Sequence, residues 1–134
     1  KKYKINIDLF DLRVCRPLKL NDIKKSVKKT GKLMTVDLGS KMFGIGAEIV
    51  SEITTGCFKF LKHPPIRIGM PDYPTPSSRG YLKNHYPDKI KIINELSNFF
   101  PIIKKNHKSI MNELNDENKK LPIDIPDPSF RGPF

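Results

Sequence analysis

Three segments of this chain have patterns of apolar residues that are typical of β-strands. Residues 4–14 begin with alternating apolar and polar side chains, which predicts a strand. Residues 32–38 are a short apolar run between turn residues, as expected for a strand covered on both faces. Residues 65–70 predict a third strand, in which Ile66 and Ile68 share one face.

A spacing of four residues follows the central strand and is typical of a helix with one face in a core. Its apolar members are Ile45, Ile49, Ile53, Cys57 and Leu61. Gly39, Gly44 and Gly46 punctuate the turn before this helix, but their spacing matches neither common phosphate-binding loop. We interpret them as residues that tighten the turn and let the helix approach the sheet, in preference to a nucleotide site.

Helices are also predicted on either side of this strand–turn–helix unit. Asn21 or Asp22 is the expected N-cap of the first, because a side-chain oxygen there can accept a free backbone N–H. Gly31 is the expected residue after its last turn. Pro87 suits the first turn of a later helix, and Pro101 separates that helix from a further amphipathic one.

Composition restricts the class of protein. The 134 residues are 37% hydrophobic and 29% charged, as expected for one domain with its own core. No apolar run approaches the ~20 residues that span a bilayer, and the first residues lack the apolar centre of a signal peptide, so secretion is not predicted. Cys15 and Cys57 form no C-x-x-C pair, and no metal-ligand cluster is evident. Cys57 is expected in the core.

The formal net charge of +11 raises the possibility of an anionic partner. The lysines fall in separate groups, and aromatic residues are not interleaved with them as a base-stacking surface requires. Nucleic-acid binding is therefore disfavoured. An acidic partner protein or an acidic paired subunit explains the charge as well.

A long proline-rich loop follows the third predicted strand, and loops of this length are often functional. Its candidate contact or anion-binding residues are Asp72, Tyr73, Thr75, Ser77, Ser78, Arg79, His85 and Tyr86. We favour a subunit contact over chemistry. Ser77, His85 and Asp72 have the residue types of a nucleophile, a base and an orienting acid, but no G-x-S-x-G surrounds the serine, which disfavours a hydrolase.

A series of short motifs resembles the C-terminal domain of transketolase-like enzymes, in particular the beta chain of the first component of pyruvate and branched-chain 2-oxo acid dehydrogenases. The motifs are DLR at 11–13, RPL at 16–18, SVKKTGKL at 26–33, FGIGAEI at 43–49, FKFL at 58–61, PIRIG at 65–69 and PTP at 74–76. The resemblance implies an α/β fold: three α/β/α layers around a mostly parallel, mixed sheet. Residues 1–100 would be this domain without its usual first strand and helix, and residues 101–134 an added helix and proline-rich arm.

The resemblance also implies a role. In such enzymes thiamine diphosphate and its magnesium ion are held by other domains, and the C-terminal domain forms subunit contacts and helps dock the acyltransferase core. No residue of this chain is carried over as catalytic, cofactor-binding or metal-binding, so whether the chain is itself an enzyme stays open.

The expected partners are the thiamine-binding domains or an alpha chain, in the cytoplasm or the mitochondrial matrix. The chain would then be a fragment of a longer subunit or one chain of a split enzyme. The alternative is a standalone binding module whose basic surface meets an anionic partner.

Overall fold

A parallel sheet lies between two groups of helices in the computed structural model, which describes residues 3–82 and 85–118. In chain order the elements are α1 (Asn21–Thr30), β1 (Met34–Ser40), α2 (Ile45–Cys57), β2 (Ile66–Met70), α3 (Lys89–Phe99), α4 (Pro101–Lys105) and α5 (His107–Asn118). Two single 3-10 turns, Phe58–Phe60 and Arg79–Tyr81, stand in the connections. The architecture is the predicted three-layer α/β/α arrangement.

The β1–α2–β2 unit is the centre of the fold. The two strands pair in parallel, with Val36 opposite Ile68, and the register shifts between Val36 and Ser40. A parallel pair needs a crossover connection, and α2 supplies it by packing against both strands. The second and third predicted strands and the central helix are therefore confirmed.

The main core lies between α1, α2 and the start of β1. Its buried members are Leu20, Ile23, Val27, Leu33, Ile49, Ile53 and Cys57. Ile53 and Cys57 are almost completely removed from solvent, as the four-residue spacing predicts for the inner face of α2. Cys15 is exposed and both cysteines are free thiols.

A second apolar group holds α3, α4 and α5 together through buried Phe99, Ile103 and Ile110. Pro101 begins α4, which confirms that it separates two helices. The Nζ of Lys91 on α3 donates to the carbonyl oxygen of Gly69 at 3.1 Å and so fastens this layer to β2.

The predicted strand at residues 4–14 is wrong, because that segment has no regular secondary structure. Alternation indicates which side chains could share a buried face, but a strand also needs a neighbouring strand for its backbone hydrogen bonds. Its first residues, Ile5 and Ile7, line a cavity with side chains of α3, α4 and α5. Further along, the Ser26 hydroxyl on α1 donates to Asp8 at 2.7 Å. Leu12 packs against the main core, and Leu9 remains 91% exposed.

The start of α1 also differs from its prediction. The N-cap position is Leu20, without a side-chain hydrogen bond, so neither Asn21 nor Asp22 caps the helix. Leu20 is buried in the main core, and burial of its side chain fixes where the helix begins. Gly31 ends the helix as predicted, with φ of 71° and its N–H bonded to the Val27 carbonyl oxygen.

The last helices differ from their predictions in two ways. The first of them, α3, begins later in the chain, and the final predicted helix is divided in two. Pro87 precedes the cap rather than entering the helix, and Asp88 caps α3 by accepting the Lys91 backbone N–H at 2.7 Å. The further amphipathic helix is divided into α4 and α5 at Asn106. The predicted arm at residues 121–134 lies outside the described residues.

Candidate functional site

The candidate loop runs from the end of β2 to the cap of α3 and is arranged around His85. This side chain is completely buried, and its Nε2 lies 3.2 Å from the Thr75 hydroxyl oxygen. The Tyr73 and Tyr86 rings lie against it, with centroids 5.3 Å and 4.9 Å away. Within the described residues, Nδ1 of His85 has no hydrogen-bond partner. The loop thus has a small aromatic core of its own.

The other predicted residues of the loop lie outside this group. Asp72, Ser77 and Ser78 are exposed, and the Ser78 carbonyl oxygen accepts the Tyr81 N–H at 3.1 Å to form the 3-10 turn. The Arg79 side chain is outside the described part of the structure. The structure therefore joins His85 to Thr75 and two tyrosines, so His85 acts as the centre of a packed loop.

The turn between β1 and α2 is where backbone and helix approach most closely. A Cβ on Gly44 would collide with the Ser40 carbonyl oxygen, and a Cβ on Gly46 would lie 2.8 Å from the Thr35 hydroxyl oxygen. Gly46 is buried at the start of α2. These contacts confirm the interpretation for Gly44, which tightens the turn, and for Gly46, which lets the helix approach the sheet. Gly39 lies within β1 and not in the turn.

One face of β1 is open, which contradicts the prediction of a strand covered on both sides. Thr35 faces α2 through its contact with Gly46, so Val36 and Leu38 project from the opposite face. Val36 is 49% and Leu38 66% exposed, whereas Ile68, the register partner of Val36, is only 3% exposed. This face of the sheet is therefore buried at β2 and exposed to solvent at β1. We call Val36 and Leu38 the open face of β1.

The turn after β1 adds a second exposed apolar group. Phe43 is 96% exposed and has a φ of 56°, a left-handed conformation that an aromatic residue rarely adopts. Met42 beside it is half exposed. Sequence reasoning missed both this turn and the open face, because apolar residues in a strand indicate burial without indicating what buries them.

Among the described residues, the side chains that commonly ligate metal ions are dispersed. No three of their His, Cys, Asp or Glu side chains are gathered where they could hold an ion. Nor is any helix in the described ranges long and apolar enough to cross a membrane. The features that remain are surfaces: the loop around His85, the open face of β1 and the Phe43 turn.

Comparison with protein families identifies the fold. The model of the transketolase C-terminal domain family matches residues 1–92, which is more than half of the chain. The chain belongs to this family. The match runs from the irregular N-terminal segment through the β1–α2–β2 unit and ends within α3. The motifs that suggested a transketolase C-terminal domain are thereby confirmed.

Curated relatives of this transketolase C-terminal domain include beta subunits of the pyruvate dehydrogenase E1 component. The chain is 39% identical to the mitochondrial subunit of Chaetomium thermophilum over 87 residues, or 65% of this chain and 23% of that protein. It is 37% identical to the mitochondrial subunit of Saccharomyces cerevisiae over 94 residues, 69% and 26% of the two chains. It is 33% identical to the Rhizobium meliloti subunit over 89 residues, 66% and 19%.

The chain spans about a quarter or less of the length of each of these relatives. The similarity therefore covers only part of each relative. No solved structure gives a significant match to the chain.

Proposed function

We propose that this domain is the assembly part of a thiamine-diphosphate-dependent 2-oxo acid dehydrogenase or a transketolase-like enzyme. In this role it contributes subunit contacts and partner docking, and the reacting groups belong to other domains. Its partners are the thiamine-binding domains or an alpha chain, and an acyltransferase core. Its similarity to beta subunits of the pyruvate dehydrogenase E1 component supports this choice of enzyme.

The observation that carries the proposal is the open face of β1. Val36 and Leu38 are apolar, exposed and on the sheet itself, beside a strand whose same face is covered. Exposed apolar area on a sheet favours association, because its removal from water contributes about 25 cal/mol per Å². The Phe43 ring would add an aromatic anchor of the kind that dominates protein interfaces.

The loop around His85 supplies the second proposed contact. Its outer residues Asp72, Ser77 and Ser78 are polar and exposed, as is typical of the rim of an interface. Its inner residues hold it in one shape, which reduces the entropy lost on docking. Contact is therefore favoured over chemistry for this loop.

Thiamine diphosphate and magnesium would belong to the partner domains. The described residues offer no ligand set for the ion, so no step of the reaction is assigned to this chain. Mitochondrial relatives from two fungi support a place in the mitochondrial matrix, with the cytoplasm as the alternative.

The decisive experiment changes the open face in the natural gene, so that any flanking chain is retained. Leu38→Glu with Phe43→Glu places two carboxylates on the proposed contact, and Leu9→Glu with Val14→Glu is the matched control at two exposed apolar residues elsewhere. Cell extracts are separated by size, and each fraction is assayed for thiamine-dependent decarboxylation of pyruvate and branched-chain 2-oxo acids.

The wild type and the Leu9→Glu/Val14→Glu protein should elute together with that activity, in a particle much larger than one subunit. The Leu38→Glu/Phe43→Glu protein should elute as a smaller species, separated from that particle and its activity. Separation of the wild-type protein from every such activity would refute the assembly role, and so would unchanged elution of the double variant.

A further inference from the structure

Two stretches of the chain carry cations and no acidic residue. Residues 23–36 contain five lysines, and residues 53–71 contain two lysines and an arginine, while neither contains Asp or Glu. The lysines and arginine are Lys24, Lys25, Lys28, Lys29, Lys32, Lys59, Lys62 and Arg67. A large part of the positive charge therefore lies in two segments that are separate in sequence.

The fold packs these two segments together. The backbone N–H of Lys62 donates to the Gly31 carbonyl oxygen at 2.8 Å, which joins the end of α1 to the chain beyond α2. The ammonium groups of Lys28 and Lys59, one from each segment, lie 5.6 Å and 5.5 Å from the centroid of the Phe60 ring. Both cations are thus held beside one aromatic ring.

Four of the eight cations already have an ion-pair or hydrogen-bond partner. Lys24 lies 3.8 Å from Glu52 and Lys25 lies 3.0 Å from Asp22. Lys32 donates to the Phe99 carbonyl oxygen, and Arg67 donates to that of Lys41. Within the described residues, the other four lysines have no carboxylate partner, and all four are exposed: Lys28, Lys29, Lys59 and Lys62.

An exposed aromatic ring completes this surface. Phe58 opens the 3-10 turn that also carries Lys59 and Phe60, and its side chain is 74% exposed. We call these six residues the basic–aromatic surface: Lys28, Lys29, Phe58, Lys59, Phe60 and Lys62. It lies on α1 and the 58–62 segment, whereas the open face is on β1.

We propose that the basic–aromatic surface binds an acidic polypeptide segment that carries an apolar side chain among its carboxylates. Lysine ammonium groups are point charges that suit carboxylates, and the Phe58 ring provides apolar contact between them. Complementary charge of this kind sets specificity and speeds association. The inference is independent of the proposed role of the open face.

Two other anionic partners fit the geometry less well. Single-stranded nucleic acid is bound by several rings on which successive bases stack, and this surface exposes one largely free ring. A membrane-surface element needs a broad apolar face along a helix, whereas the outer side of α1 here is lysine-rich. We therefore propose neither partner, and both are included in the experiment as alternatives.

The test uses the full chain and fluorescence anisotropy. The probe is a short fluorescein-labelled peptide of glutamates with one central leucine, and the same peptide with glutamines is its neutral control. Lys28→Glu/Lys59→Glu changes the surface. Lys104→Glu/Lys108→Glu, on α4 and α5, makes the same change in net charge elsewhere, and circular dichroism verifies that each variant folds.

The glutamate peptide should bind and the glutamine peptide should not. The Lys28→Glu/Lys59→Glu variant should lose about tenfold or more in affinity, because two attractions become repulsions, and the α4–α5 variant about twofold or less. Phe58→Ala should weaken binding several-fold without changing net charge, and Ile102→Ala, at an exposed residue of α4, should leave it unchanged.

Equal losses in the two charge variants would overturn the proposal, since net charge alone would then explain binding. No binding of the glutamate peptide would also overturn it. So would tighter binding, at equal ionic strength, of an oligothymidylate or of phosphatidylserine vesicles.

Discussion

The ammonium group of Lys32 lies 4.4 Å from the centroid of the Phe100 ring, although the two residues are far apart in the sequence. The same Nζ donates a hydrogen bond of 2.9 Å to the carbonyl oxygen of Phe99. Lys32 lies just before β1, Phe99 is the last residue of α3 and Phe100 is its C-cap. One partly buried side chain thus ties the helical layer of α3–α5 to the sheet.

Lys32→Met should therefore weaken the domain. It keeps the apolar stem but removes the ring contact and leaves the Phe99 carbonyl oxygen without this donor, at a cost of about 1–2 kcal/mol in the free energy of unfolding. Urea denaturation measures the change, and Lys105→Met on α4 is an exposed control that should stay within about 0.5 kcal/mol. Equal effects of the two substitutions would contradict the proposed tie.

Gly46→Ala should destabilise the protein although alanine favours helices. Its Cβ would lie 2.8 Å from the Thr35 hydroxyl oxygen, and relief requires the Thr35 side chain to rotate or α2 to shift from β1. We expect a loss of about 1–3 kcal/mol. Gly56→Ala in the same helix meets only ordinary contacts with Lys24, and should gain up to about 1 kcal/mol.

A double variant separates two effects of Gly46→Ala on stability: the close contact with Thr35 and the higher helix propensity of alanine. In a Thr35→Ala background the added methyl has space, so Gly46→Ala should become neutral or stabilising when unfolding is followed by circular dichroism. If Gly46→Ala costs as much in that background as in the wild type, the Thr35 contact is not its cause.

Thr75→Val should loosen the loop around His85. The substitution removes the hydroxyl beside Nε2 and leaves a completely buried imidazole without its described partner, at a cost of about 1–3 kcal/mol. In a His85→Phe background, where no polar ring remains, the same substitution should cost about 0.5 kcal/mol or less. Hydrogen exchange of the loop and urea denaturation measure the cost of Thr75→Val in both backgrounds. A Thr75→Val cost that is the same in the two backgrounds would rule out the pairing.

Phe43→Gly should stabilise the isolated chain while it weakens assembly. A left-handed backbone costs an L-residue about 1–2 kcal/mol, and glycine adds about 0.5–1 kcal/mol of lost entropy, so the net gain is about 0.5–1 kcal/mol. Thermal unfolding measures that gain, and Met42→Gly, without the positive φ, should lose stability. A destabilised Phe43→Gly protein would mean that the ring already has a stabilising contact.

The sequence predicts best those elements whose signals are local. The four-residue spacing of α2, the stop at Gly31 and the break at Pro101 need no knowledge of distant residues, and all three agree with the structure, except that Leu61, the last member of the spacing, lies beyond the end of α2 at Cys57. The N-cap of α1 fails because the burial of Leu20 outweighs a cap by Asn21.

Features that depend on a neighbour were not predictable in this way. Residues 4–14 have the alternation of a strand, but alternation does not specify a hydrogen-bonding partner. Val36 and Leu38 look like core residues, and only the structure reveals that their side of β1 is uncovered. The same holds for Lys28 and Lys59, which are distant in sequence and meet at Phe60.

The open face of β1 also has a consequence for protein quality control. A copy made in excess of its partner would keep Leu38 and Phe43 in water, and exposed apolar side chains are what chaperones bind and what drives aggregation. A copy in the complex would hide them. The same side chains that favour assembly would thus mark unassembled copies for removal, and the amount of this protein in the cell would follow the amount of its partner.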